Sequence, residues 1–302
     1  MKSASRRKPP VPESSGKIKP VRIGNVHSAL CHPARTADDA TLLAEARAIT
    51  DAARDRGLRL RLLGAVAVHL HSPGREALEA RLNRLGDAHR RFMDLDFAAY
   101  GAERAAVRTL LEDRFGLLAD PQAMLFHGKE RIIYSQPAKG YQVDVFFDRL
   151  RFSHTIDLGE PGTGRLDRDF PTLTPADLLL SKLQIHRVTD KDLKDVILLL
   201  LAHRLSDGDD TDAIEIARVV APLADDWGFW KDATANLAEI RTMAGRLADT
   251  GLLDRTDAEA VREKVGALLQ VTEQTPKSRS WRRGERRLAT HQWWNDVESV
   301  VR

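Results

Sequence analysis

Three aspartates carry the strongest chemical signal in the chain. In RRFMDLDFAAYG (90–101), Asp94 and Asp96 stand two residues apart inside an apolar run, and in YQVDVFFD (141–148) Asp144 again interrupts one. If FMDLDF is a strand, residues i and i+2 point the same way with Cα atoms about 6.6–7 Å apart. Asp94 and Asp96 then share a face with Phe92, while Met93, Leu95 and Phe97 take the other. Two neighbouring carboxylates repel and burying either is costly, and a divalent cation removes both penalties. Magnesium suits such a pair, because it takes one or two carboxylates and completes its shell with phosphates and water. With the strand of Asp144 alongside, three carboxylates can hold two Mg²⁺ ions about 3.5–4 Å apart, which activates an attacking oxygen and stabilises a leaving phosphate. On FMDLDF alone, a strand with one wet face fits equally well.

The elements around these residues divide the chain. TADDATLLAEARAITDAARDRG (36–57) predicts a helix capped by Thr36 or Asp38, with Leu42, Leu43, Ala46 and Ile49 at helical spacing and Gly57 as its stop. LRLRLLGA alternates like a strand and ends in a tight turn at Gly64, and AVAVHLHS reads as a short helix. Residues 72–90 read as a polar connection, and 102–116 as helix. MLFHG and ERIIYS fit the arms of a hairpin, followed by the strand YQVDVFFDRL and a further strand in RFSHTIDL. From 174 the texture turns helical, beginning with TPADLLLSKLQIHRV, where Thr174 caps, Pro175 takes the first helical position and Asp177 lies in the first turn. DKDLKDVILLLLAHRL follows, then helical stretches near 211–221, 232–249 and 257–271. The expectation is α+β: a mixed sheet with flanking helices over 36–170, then an α-helical subdomain over 171–275.

Charge is uneven. Residues 1–22 carry +6 and residues 276–302 carry +4, so the net +3 of the chain leaves −7 for the body. An acidic body argues against one continuous phosphate-binding face and leaves the ends as the only basic candidates. Residues 1–35 read as a flexible basic arm rather than a secretory signal, since charge is present but an apolar core is not. The single cysteine, Cys31, excludes an intrachain disulfide framework and fits a reducing compartment, the cytoplasm by default. VILLLLA (196–202) is far short of the roughly 20 residues of a membrane span.

Taken in order, LLGA, FMDLDF, QVDVFF and LTPADLLLSKLQIHRVTDKDLKDVILLLL resemble the nucleotidyltransferase superfamily, of DNA polymerase beta-like fold, in its minimal or bacterial abortive-infection toxin-like form. The family pattern is an apolar strand, Gly-Gly or Gly-Ser opening a helix, a strand with Asp-x-Asp or Asp-x-Glu, and a third Asp on a later strand. The resemblance covers roughly 58–203. It implies transfer of a nucleoside monophosphate from a nucleoside triphosphate such as ATP to an acceptor hydroxyl, with two Mg²⁺ ions and release of pyrophosphate. By position, Asp94, Asp96 and Asp144 would hold metal, with Asp144 also the base toward the acceptor. Gly64 and Ala65 would form the turn at the phosphates, and Arg91 and Lys182 would reach the nucleotide. Ala65 departs from the usual Gly or Ser, and the gap from Gly64 to Asp94 exceeds that of the smallest members. The acceptor, whether small molecule, RNA or protein, is left open, and a cognate antitoxin-like partner is implied.

Two other readings stand beside this one: a nucleotide- or partner-binding protein without turnover, motivated by Ala65, and an RNA-binding module. The second rests on the tail SRSWRRGERRLATHQWWNDVESVV, whose arginines and Trp281, Trp293 and Trp294 could stack bases, or could dock on the body. Lys191, Lys194 and Asp195 read as a surface ion-pair group. His69 with His71, and Cys31 with His27 and His32, lack the ligand sets of zinc sites.

Overall fold

The structure, a computed structural model, describes residues 36–87, 90–288 and 290–296. The N-terminal arm and Cys31 lie outside the described residues. The first helix, α1 (Asp39–Asp55), is capped by Asp38, whose carboxylate accepts from the Thr41 amide at 2.8 Å. Gly57 follows with a left-handed φ of 72°, letting the chain reverse into β1 (Leu60–Leu63). Then come α2 (Gly64–Leu70) and α3 (Glu76–Leu82). The third helix lies inside the stretch expected to be a polar connection. Leu78 and Leu82, one turn apart, are buried and give this arginine-rich segment an apolar stripe.

Strand β2 (Leu95–Ala99) begins three residues later than the alternation of FMDLDF from Phe92 suggested, so Asp94 stands just ahead of it. It is followed by α4 (Arg104–Thr109), a π turn over Leu110–Arg114, and β3 (Leu118–Ala119). MLFHG is not a hairpin arm but part of α5 (Pro121–His127). Asp120 accepts from the amides of Gln122 and Ala123 at 2.8 and 3.1 Å, with Pro121 in the first helical position. The hairpin partner of β4 (Arg131–Gln136) is instead β5 (Tyr141–Phe147). A small ribbon, β6 (Arg149–Arg151) with β7 (Thr155–Asp157), completes the strand-rich part.

The main sheet runs β1-β2-β5-β4-β3. β1 is antiparallel to β2, β2 parallel to β5, and β5 antiparallel to β4. This register sets Leu63 opposite Asp96, and Asp96 beside Asp144. The outer edge of β1 is covered by 171–173: the Leu62 amide donates to Pro171 O, and the Leu173 amide to Leu62 O, both at 2.9 Å. An edge that would otherwise present unpaired backbone is thereby closed.

Helices then follow: α6 (Pro175–Leu183), capped by Thr174, and α7 (Asp190–Ala202). A short ribbon, β8 (Leu205–Ser206) with β9 (Ile214–Glu215), precedes α8 (Ile216–Asp225), α9 (Trp227–Asp249), α10 (Arg255–Gln274) and α11 (Arg279–Leu288). The described residues form one unit, and one apolar core joins Phe97 and Val145 of the sheet to Leu180 of α6, Leu198 of α7 and Leu268 of α10. The architecture is mixed α+β, with a mixed sheet followed by helices. The basic tail docks: Trp281 is buried, packed edge-to-face on Trp230 at 5.3 Å, while Arg279, Arg282, Arg283, Arg286 and Arg287 stay exposed. None of the helices among the described residues is long and apolar enough to cross a membrane.

Candidate functional site

The β1–α2 turn meets the aspartate strand at one point. Gly64 has φ 72°, and a β-carbon built there would collide with the Asp96 carboxylate. Only glycine therefore allows the turn and the carboxylate to meet this closely. Asp144, on the neighbouring parallel strand, is Asp96's register partner. It is buried, and its Oδ2 accepts from Arg131 Nη2 at 2.5 Å. The structure thus brings Gly64, Asp96 and Asp144 together. Among the described residues, no group of three or more His, Cys, Asp or Glu side chains is gathered to hold a metal ion. Asp94 lies near enough to Arg84 to favour its charged form.

Gly64 and Asp96 line a cavity of about 560 Å³, a size suited to a small-molecule ligand. Its charged wall continues through Arg131, Lys182, Arg187 and Lys191. Lys182 is buried between Asp192 and Asp195, 2.9 Å from each; the contact to Asp195 is too bent for a hydrogen bond. Arg84 Nε holds the other oxygen of Asp195 at 2.7 Å, and the Thr189 hydroxyl donates to Asp192 at 2.6 Å. Burial opposes the charge on Lys182, but Asp195 and Asp192 outweigh it and raise its pKa. Burial likewise opposes the charge on Asp192, and Lys182 and Thr189 outweigh it, bringing its pKa down to about 2. Lys182 lines the cavity, and its ammonium is held by two carboxylates. Asp195 belongs to this buried network, which corrects the surface-pair reading of Lys191, Lys194 and Asp195.

Arg91 lies elsewhere. Its guanidinium pairs with Asp39 at 2.9 Å and Glu79 at 3.1 Å, and its backbone amide also donates to Asp39. It joins α1, α3 and the approach to β2 and is not among the cavity-lining residues. Ala65, in the first turn of α2, is half-buried against the core. His69 and His71 are occupied separately, His69 by Glu79 at 2.7 Å and His71 by the Thr172 hydroxyl at 2.6 Å.

Two parts of this site are only partly legible in the sequence. The first is Arg187, which the sequence does not single out, with Lys191, which reads there as part of a surface ion-pair group. Among the described residues Arg187 makes no ion pair, and Lys191 reaches Asp192 only by longer-range attraction. Their signal was the basic pair around the start of α7. The second is a largely aromatic stretch, Phe146, Phe152, His186 and Trp294 with Ile185, which also lines the cavity; the sequence offers Trp294 for stacking or docking but not the residues it meets. Trp294 stacks on His186 with ring centroids 3.7 Å apart and planes 8° from parallel. The segment carrying it is clasped by Asp232, whose carboxylate accepts from Trp293 Nε1 at 3.0 Å and pairs with His154 Nε2 at 2.8 Å and His186 Nδ1 at 3.0 Å. Burial opposes the charge on Asp232, yet these three partners prevail and lower its pKa. The Asn295 amide donates to Ser153 O at 2.9 Å, and Lys231 lies 3.5 Å over the Trp293 ring.

Compared with protein-family models and with curated proteins, the chain matches none.

Proposed function

We propose that this chain is a nucleotidyltransferase that moves a nucleoside monophosphate from a nucleoside triphosphate to an acceptor hydroxyl, releasing pyrophosphate. The observation that carries the reading is the meeting of the Gly64 turn with Asp96 on a cavity also lined by Arg187 and Lys191, with Asp144 beside Asp96 on the neighbouring strand and behind the lining. A glycine turn gives close backbone approach to a ligand, and the two cations give a polyanion its counter-charge. The order of strand, glycine turn, Asp strand and later Asp strand also supports a nucleotidyltransferase-type sheet.

The oxygen donors of Asp96 and Asp144 fit one Mg²⁺ of the kind held by two carboxylates and completed by phosphates and water. A cage of three carboxylates around two ions fits less well, because Asp94 is drawn to Arg84 and Arg131 takes one oxygen of Asp144. When bound, the ion would neutralise charge on the transferring phosphate. In this reading Arg187 and Lys191 hold the triphosphate, while Lys182 keeps Asp192 and the start of α7 in place. The acceptor oxygen bonds to the α-phosphorus, the bond from that phosphorus to pyrophosphate breaks, and the hydroxyl proton passes to a carboxylate, with Asp144 the candidate.

The test is incubation of the full chain with each labelled nucleoside triphosphate, MgCl₂ and a cell extract, reading both pyrophosphate and labelled product. Asp96→Asn should abolish both while leaving the circular dichroism spectrum unchanged. Full activity in that variant, or no pyrophosphate with any nucleotide, refutes the reading. Arg131's hold on Asp144 favours one rival, nucleotide binding without turnover. Tight nucleotide binding with no pyrophosphate would select it.

A further inference from the structure

The cavity lining carries two kinds of chemistry. The Gly64 turn, Asp96, Arg187 and Lys191 present backbone and charge. Phe152, Ser153, Ile185, His186 and Trp294 form a second, contiguous stretch of the lining: the His186 amide donates to Ser153 Oγ at 3.0 Å, Asn295 of the C-terminal segment is tied to Ser153 O at 2.9 Å, and Trp294 stacks on His186. Trp294 arrives there from far along the chain and is only half-buried, so it is not a core residue whose removal would open the apolar interior.

We propose that the Trp294–His186 stack is a nucleobase subsite, built by the C-terminal segment onto the cavity that the nucleotidyltransferase reading assigns to the triphosphate. Three features favour a base over other flat or apolar ligands. The wall is aromatic on two of its members, and base–aromatic stacking is a sizeable, sequence-tolerant contribution to binding. The stack is already ordered: Asp232 fixes His186 and Trp293, and Lys231 caps Trp293, so little side-chain freedom remains to be lost on binding. Finally, a ligand that uses both the aromatic stack and the two cations of this one cavity carries an aromatic ring and a polyanion, which describes a nucleoside triphosphate and neither a free aromatic acid nor a lone phosphate. Because the wall offers stacking more than a row of hydrogen-bonding partners, the subsite accepts more than one base, with purines held more tightly through their larger ring area. The inference rests on the nucleotidyltransferase reading for the presence of a triphosphate in this cavity.

The test compares ATP with inorganic tripolyphosphate by calorimetric titration in MgCl₂, for the wild-type full chain, Trp294→Ala and Trp294→Phe. Trp294→Ala should weaken ATP roughly 5- to 150-fold, the fold-change that corresponds to the loss of one base stack. Tripolyphosphate affinity should stay within about twofold, and Trp294→Phe should recover most of the ATP affinity. ATP affinity unchanged in Trp294→Ala overturns the subsite. So does an equal loss of ATP and tripolyphosphate, which would mean that Trp294 only pins the segment. Wild-type protein that binds both ligands equally well overturns the subsite but keeps the phosphate site. Wild-type protein that binds neither sinks the nucleotidyltransferase reading and the subsite together.

Discussion

Replacing Lys182 with methionine separates a structural role for this lysine from a substrate-binding one. Its Nζ lies 2.9 Å from both Asp192 and Asp195, and all three side chains are at most 10% exposed. Removing one partner from a buried ionic group leaves uncompensated charge and costs about 3–5 kcal/mol. Arg84 still holds Asp195 at 2.7 Å and Thr189 still holds Asp192, so the lower end, about 3 kcal/mol, is the expected loss at neutral pH. A second signature lies in acid. A carboxyl lowered from 3.8 to about 2 in the folded protein contributes roughly 2 kcal/mol that is present above its unfolded pKa and lost as pH falls through the folded one. Wild-type stability should therefore fall by about this amount between roughly pH 4 and pH 2 on account of Asp192, and the Lys182→Met variant should lack most of that increment. Urea unfolding followed by far-ultraviolet circular dichroism, at neutral pH and along an acid series, measures both. Asp192→Asn in the same background completes a cycle whose coupling energy should be about 1–3 kcal/mol. A neutral-pH loss below about 1 kcal/mol, with nucleotide binding abolished, would refute the structural argument and return Lys182 to the triphosphate.

Gly64→Ala should destabilise by about 1–3 kcal/mol, since it combines a left-handed backbone with a collision at Asp96. Thermal melting would detect this, and a variant as stable as wild type would mean that the turn does not press on the carboxylate. Asp232→Ala leaves His154, His186 and Trp293 without their shared acceptor, and should cost about 2–4 kcal/mol while exposing the chain beyond Trp281 to protease; unchanged cleavage would show that Asp232 is not the clasp.

Local signals carried much of the fold. The caps at Asp38 and Thr174, the glycine stops and the alternation in YQVDVFF each concern neighbours within a few residues, and each formed as its spacing predicts. MLFHG misled because a short apolar run does not separate strand from helix, although Asp120–Pro121 carries the same start signal that marks Thr174–Pro175. At the site, Asp96 and Asp144 were each legible as an aspartate in an apolar strand, whose period selects a face, while their adjacency is set by the parallel pairing of β2 with β5. What was not legible depends on distant partners. Lys182 meets acids ten and thirteen residues on, across a loop, and Trp294 meets a histidine more than a hundred residues earlier. No periodicity encodes either contact.

Charge pairing in the body makes the exceptions informative. A chain in which 30% of residues are charged and whose central part is net acidic offers many candidate site residues by type alone. Most of the buried acids are committed inside the fold: Asp177, fully buried, lies between Arg165 and Arg218 at 2.8 and 2.7 Å, Asp195 between Arg84 and Lys182, and Asp144 against Arg131. Breaking any such pair leaves an uncompensated buried charge, so an arginine beside an aspartate here is first a folding device. That is why Arg91, attractive by its place before the aspartate strand, turns out to join α1 and α3. It is also why Arg187 and Lys191 weigh more than their unremarkable positions suggest. In a body that neutralises its buried acids, two cations on a cavity wall with no salt-bridge partner among the described residues are charge that folding does not consume. An anionic ligand is the simplest use for it, and under the proposed nucleotidyltransferase reading that ligand would share the cavity with the Gly64–Asp96 contact.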